Sequence, residues 1–393
     1  RRHWRLRASR SARPNRRSSA RRGRQAAGRA MAAPYETGMD VMNKPQIIEH
    51  ARKSVTQTVY ETRWVPCSAR FVVLGSPPRG TGLIQIYALN KGELSLLHEA
   101  EKTSPLKCGS FGASSLADRR LATGDFTGKL HVWDLEALST PVFSAQAHTG
   151  LLNCMDGVGG LKGAGAPEIV TGGKDGRVLV WDQRQADAPV ASMEPRAGDV
   201  PRDCWAVAFG DAHTADDRVV AAGYDNGDVK LLDLRAGKVR WEANMQNGVC
   251  GLQFDRADIE ANKLVVTTLE SKFRLYDMRT FHPTFGYSML SQDAHESTVW
   301  GVAHLPQNRD VFMTCGGNGS LELWKYNYPA QRRAKDRDGH DKGVLGSVTQ
   351  LQKTTLSTQP ISSFDWSADK EGLAVMGVLD QSFRVVVCTK LSK

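Results

Sequence analysis

The stretch that most constrains the fold is residues 168–184, EIVTGGKDGRVLVWDQR, in which two β-branched runs flank a glycine-rich turn and the second run ends in Trp-Asp. Val170 and Thr171 favour strand, residues 172–176 (GGKDG) allow the positive φ angles of a tight hairpin, and residues 178–181 return antiparallel. One such hairpin cannot bury its own apolar face, so the chain needs copies of it. The positions equivalent to Trp181 are Tyr87, Trp133, Leu232, Tyr276, Trp324 and Val386, separated by 44 to 51 residues except for a last gap of 62. That register lies close to the ~40–45-residue period of a four-stranded propeller blade with short loops added.

Each copy is preceded by a further apolar run, such as LLNCMDG at 151–157 or DCWAVAFG at 203–210. Segments such as PVFSAQAH (141–148), PVASMEP (189–195) and VRWEAN (239–244) supply an outer fourth strand. The seventh repeat has no such segment before the last residue, while the apolar segment 47–51 is spare. Pairing 47–51 with 384–388 would close the ring and remove the edge of an open propeller. The expectation is an all-β chain: one seven-bladed propeller over 44–393, closed by an N-terminal strand, after a disordered Arg-rich leader over 1–43. The long last gap holds residues 327–347, polar and of both charges, which read as a solvated surface loop or as a loop that docks a partner.

The net charge of +10 would suggest nucleic acid, but residues 1–30 hold twelve Arg and no acid, which leaves 40 basic against 42 acidic residues in the remainder. The propeller is therefore not expected to bind nucleic acid, since phosphate contact needs a basic footprint. The Arg-rich segment has too few apolar residues to fold and reads as a translated leader, an organelle-targeting segment or a nucleic-acid-binding arm. No apolar run approaches the ~18 residues of a membrane span, so no membrane association is expected. Seven cysteines without a CxxC fit neither a disulfide framework nor a zinc site. Cys108, Cys154, Cys204 and Cys250 follow the repeat at spacings of 46, 50 and 46 residues, and isolated buried thiols point to a reducing compartment, which suits a cytoplasmic protein.

None of the ten histidines has a partner spacing that signals catalysis, and the glycine-rich GGLKGAGAP (159–167) lacks the GK[ST] of a phosphate loop. The expectation is no enzyme, no cofactor and no metal. Aligning the innermost strands instead brings out a ring. The first residue of each pair is apolar, and alternation turns the second residue, Tyr60, Lys107, Asn153, Trp205, Cys250, Trp300 or Ser362, to the other side. Trp is enriched in binding hot spots and also heavily buried on average. Trp205 and Trp300 therefore read either as partner anchors, with Tyr60, Lys107, Arg202 and Asp225 around them, or as inter-blade packing.

The repeats resemble those of the WD-repeat family. His148, Thr171, Asp175 and Trp181 match its pattern, which implies a buried hydrogen-bonded tetrad within one blade. His295, Thr314 and Trp324 repeat the pattern with Asn318 in place of Asp, and the other blades lack the His. Within that family, KPQIIEH, WVPCSA, KCGSFGA, DCWAVAFG, AGYDNGD, HLPQNR, LWKYNYP and TLSTQPISS are similar to the Monad type, a group of axonemal dynein assembly factors; the likeness covers 44–391. The resemblance implies a non-catalytic scaffold that works with a cochaperone complex of RuvB-like AAA+ ATPases, a TPR scaffold and prefoldin-like subunits on dynein heavy chains. A second reading comes from WDQR (181–184), LDLR (232–235) and YDMR (276–279), which place Arg184, Arg235 and Arg279 at equivalent strand ends. They resemble the WDxR box of substrate receptors that dock on a cullin-4 ubiquitin ligase. The plain reading of the same residues is an Asp/Arg surface pair of little energetic weight.

Overall fold

Alternating apolar runs joined by glycine turns give antiparallel hairpins, and seven four-stranded groups of them build the molecule. The computed structural model describes residues 2–4, 44–185, 188–196 and 198–391. Blade three shows the pattern: Leu152–Val158, Glu168–Gly173, Val178–Asp182 and Ala191–Met193 follow one another from the axis outward. The turn at 173–177 is made possible by Gly176 at φ 75°, a conformation that costs glycine little. In blade six the outer strand is Ser347–Thr355, and in blade seven it is Gln46–Ser54. The latter pairs antiparallel with Ser382–Thr389, Ile47 opposite Cys388 and Ala51 opposite Val385, so the N-terminal strand closes the ring. The fold is thus a seven-bladed all-β propeller.

Seven apolar clusters fill the seven spaces between neighbouring blades. Trp181, for instance, lies with Phe143, Leu130 and Leu152 between blades two and three, and Phe383, Val59 and Tyr87 join blade seven to blade one. In blade three both faces of the third strand, Val178–Asp182, are covered in this way, and every one of its residues is buried.

The leader over 1–43 lies outside the described residues except at Arg2–Trp4, which pair in parallel with Ala191–Met193 and extend blade three to five strands. Two other expectations change. Residues 327–347 are not a plain solvated loop: Arg333–Lys335 and Asp341–Gly343 form a hairpin that packs on blade five. Its root is pinned from inside. Lys263, fully buried, bonds Asp310 at 2.7 Å and the Tyr328 hydroxyl at 2.5 Å, while Arg332 reaches Asp277 at 2.8 Å and Asn262 at 2.7 Å. Further out, His282 bonds Asp336 at 2.8 Å, holding that carboxyl down at about 2. The second change concerns the thiols, which are not all isolated. The Cys154 thiol reaches the Cys204 carbonyl at 3.7 Å, and both sulfurs crowd the space where a Cβ on Gly172 would stand.

Candidate protein-docking face

The inner strands carry one irregularity seven times. In every blade the register against the second strand slips after the first residue: Val59/Glu61, Leu106/Cys108, Leu152/Cys154, Cys204/Ala206, Val249/Gly251, Val299/Gly301 and Ile361/Ser363. The residue skipped each time is the second one, so Tyr60, Lys107, Asn153, Trp205, Cys250, Trp300 and Ser362 are all bulge residues. A bulge leaves its extra residue out of the ladder and re-aims its side chain. All but one of the seven are half-buried, and Trp300 is 43% exposed. Neither Trp205 nor Trp300 belongs to an inter-blade cluster.

Both indoles lie on glycine. A Cβ on Gly248 would come within 2.8 Å of the Trp205 ring and 3.0 Å of Leu269, and one on Gly317 within 3.0 Å of the Trp300 indole nitrogen. On the far side, Lys107 sits 5.2 Å above the Tyr60 ring, which in turn lies 5.5 Å from Phe126. Arg202 stands apart from this ring; exposed, it lines an outward groove of about 650 Å³ between blades three and four with Tyr224, Asp228 and Lys230.

A second set of positions escaped the sequence reading. In six blades the first residue of the turn between second and third strands donates its N–H to the carbonyl just before an inner strand: Phe126 to Pro105, Lys174 to Leu151, Asp225 to Asp203, Leu269 to Gly248, Gly317 to Thr298 and Leu379 to Pro360, at 2.9–3.0 Å. These residues therefore stand beside the bulge residues, and Phe126 and Leu269 are exposed. The signal was present in the turn alignment, but only the cross-strand bond shows what the turn residue neighbours.

Around Trp205 the charge is acidic. Burial and the nearby Asp225 raise the Asp203 carboxyl, partly offset by Lys174 and by the Trp205 indole. The Asp225 Oδ1 is buried without a hydrogen-bond partner among the described residues.

Beneath this face, His148 bonds Asp175 through Nδ1 and Thr171 through Nε2, both at 2.9 Å, and the Trp181 indole donates to Thr171 at 3.2 Å. Burial raises the Asp175 carboxyl, but the His148 bond and two backbone N–H groups outweigh it and hold it low. In blade six His295 bonds Thr314 at 2.8 Å, and Trp324 donates to the same hydroxyl at 3.0 Å. Its other nitrogen meets the Ser320 hydroxyl at 2.6 Å, and Ser320 relays to Asn318 at 2.7 Å, so Asn318 does not take the place of Asp directly. Burial and then Lys353 depress His295 to about 4. These groups bond one another within the blades, the arrangement of buried support and not of a reacting centre.

Of the WDxR-like arginines, Arg184 and Arg235 lie just past strands that end at Asp182 and Asp233, whereas Arg279 lies inside Lys272–His282, a longer strand that runs on past the equivalent position. Arg184 bonds Asp182 at 2.6 Å, Arg235 meets Asp217 at 3.3 Å, and Arg279 pairs with Glu260. Among the described residues no group of three or more His, Cys, Asp or Glu could hold a metal ion, and no helix is long and apolar enough to cross a membrane.

Residues 286–325 match the WD domain, G-beta repeat family model. That span begins with the outer strand of blade five, Gly286–Asp293, and ends in the third strand of blade six. The sequence repeat is therefore staggered by one strand from the blade, as a ring closed by a strand from the opposite terminus requires. Over its length the chain is 61% identical to dynein axonemal assembly factor 10 of Xenopus tropicalis across 353 residues, 90% of this chain and 99% of that one. It is 59% identical to the protein of that name from Homo sapiens across 356 residues, 90% of this chain and all of that one. With the Chlamydomonas reinhardtii protein of the same name it shares 55% identity across 357 residues, again 90% of this chain and all of that one. Identity of this extent over whole relatives, on a complete propeller, makes the chain a member of the dynein axonemal assembly factor 10 family.

Proposed function

We propose that this chain is a non-catalytic protein-interaction scaffold for the cytoplasmic preassembly of axonemal dyneins. In this reading it acts with a cochaperone complex of RuvB-like AAA+ ATPases, a TPR scaffold and prefoldin-like subunits, and dynein heavy chains are the clients. The names of the relatives support the assembly role. The observation that carries the scaffold reading is the ring of bulge residues, where Trp205 and the exposed Trp300 lie on glycines outside every apolar cluster. Rigid aromatic side chains held at a surface are what a binding hot spot needs. Tyr60, Lys107 and Asp225 extend the same face, whereas Arg202 belongs to the outward groove between blades three and four. No observation favours the cullin-4 reading: Arg184, Arg235 and Arg279 make the surface pairs with carboxylates that the plain reading expects.

The test is affinity capture with the full chain carrying Trp205→Ala and Trp300→Ala, quantifying dynein heavy chain, the AAA+ ATPases and the TPR scaffold against the unsubstituted protein. Loss of ~2 kcal/mol or more of binding, about 30-fold, with an unchanged melting curve is expected. Full capture by the folded double variant would refute the ring as the docking site.

A further inference from the structure

We infer that the Trp205 corner of this face takes an arginine side chain of the protein partner, its guanidinium stacked on the Trp205 indole and forked toward Asp203 and Asp225. The inference rests on the docking face proposed above. Three features of the corner converge on a cation. Asp225 keeps a buried carboxylate oxygen without a hydrogen-bond partner. Asp225, whose N–H donates to the Asp203 carbonyl at 3.0 Å, lies close enough to disfavour the charge of the Asp203 carboxylate, a cost that a bound cation relieves. A Cβ on Gly248 would meet both the Trp205 ring and the Asp225 carbonyl at 2.8 Å, so the bare glycine lets the ring settle beside Asp225 as a preformed surface for a cation.

The flanks say what kind of partner brings the cation. Leu269, next to Trp205 across Gly248, is 43% exposed, and its carbonyl is tied by the Thr298 hydroxyl at 3.1 Å. Trp300 follows two residues later at the same exposure. The surface therefore runs from an acidic aromatic corner on blade four to two fixed apolar side chains on blades five and six. Its complement is a protein segment with a basic residue followed by apolar ones. The planar guanidinium suits the site better than ammonium, because it can stack and bond two carboxylates at once. At the other side of the ring Lys107 over Tyr60 gives the face the opposite sign, which orients the segment.

The corner can be probed without the partner. The full chain, labelled with ¹⁵N at its tryptophans, is titrated with N-acetyl-arginine amide and, at matched ionic strength, with N-acetyl-citrulline amide, which has the same shape and no charge. The Trp205 indole resonance, assigned by its loss in Trp205→Phe, is expected to move with arginine and stay with citrulline. Asp203→Asn with Asp225→Asn should weaken the arginine response about fivefold or more, while the other indole resonances hold their positions and report an intact fold. Equal movement with citrulline, or an undiminished response in the double Asn variant, overturns the inference. So does calcium chloride at low millimolar concentration displacing arginine from the corner, which would make it a metal site. The two readings fail separately: a negative arginine titration with capture lost in the Trp variant removes the basic anchor and leaves the face. A positive titration with capture intact leaves a cation site and removes the face as the docking surface.

Discussion

Lowering the pH from 7 to 4.5 should destabilise this propeller through His295, by an amount that its environment sets. The imidazole is buried in blade six, bonded to Thr314 and Ser320, with Glu322 at 3.6 Å and the Lys353 ammonium near that carboxylate. Burial opposes its protonation first and Lys353 second, so in the folded state it titrates at about 4, against ~6.5 in the unfolded chain. Glu322 gives no rescue, since burial raises its own carboxyl. Because the folded value is the lower, the unfolded chain binds the extra proton between the two. Stability is then complete above ~6.5, falls as pH drops toward 4, and changes no further below it. Linkage over pH 7 to 4.5 makes the loss roughly 2–3 kcal/mol. Urea unfolding of the full chain at the two pH values measures it, and His295→Asn separates this group from others, including His304, which burial also depresses to about 4. The variant is expected to be weaker at pH 7 but to lose about 2 kcal/mol less than the unsubstituted protein on acidification. Equal losses in the two proteins would refute the argument.

Trp181→Ala removes a side chain only 4% exposed from the contact between blades two and three, together with its bond to Thr171. A loss of ~3–5 kcal/mol in chemical denaturation is expected, and a variant as stable as the parent would show that Trp181 does not hold those blades together. Deleting residues 44–52 strips Ser382–Thr389 of its partner strand and takes Glu49 from the buried Arg384, which it bonds at 2.9 Å. The melting temperature should fall by roughly 5–10 °C or the chain should aggregate through the bared edge; an unchanged melting curve rules out the closing strand as a stabilising element.

The number of blades, the membership of most strands and the closing role of 47–51 could be read from the sequence, because each hairpin is specified within about 20 residues by β-branched runs and glycine turns. The polar partners around Trp181 could be proposed for the same reason, as they recur at fixed offsets from a repeat. The ring residues could be lined up, but not as bulges. Nothing local in Cys204-Trp205-Ala206 shows that Trp205 drops out of the ladder; the register against Tyr224 and Gly223 decides it. Likewise Gly248 lies 43 residues from Trp205 and Lys263 lies 65 from Tyr328, so the support under the indole and the buried anchor of the 327–347 hairpin exist only once the blades have packed. The charged composition of that hairpin suggested water on all sides, yet Arg332 and Lys263 spend their charge on Asp277 and Asp310. The repeat set the strands of this propeller, whereas contacts between strands far apart in the chain decided which side chains face outward from it.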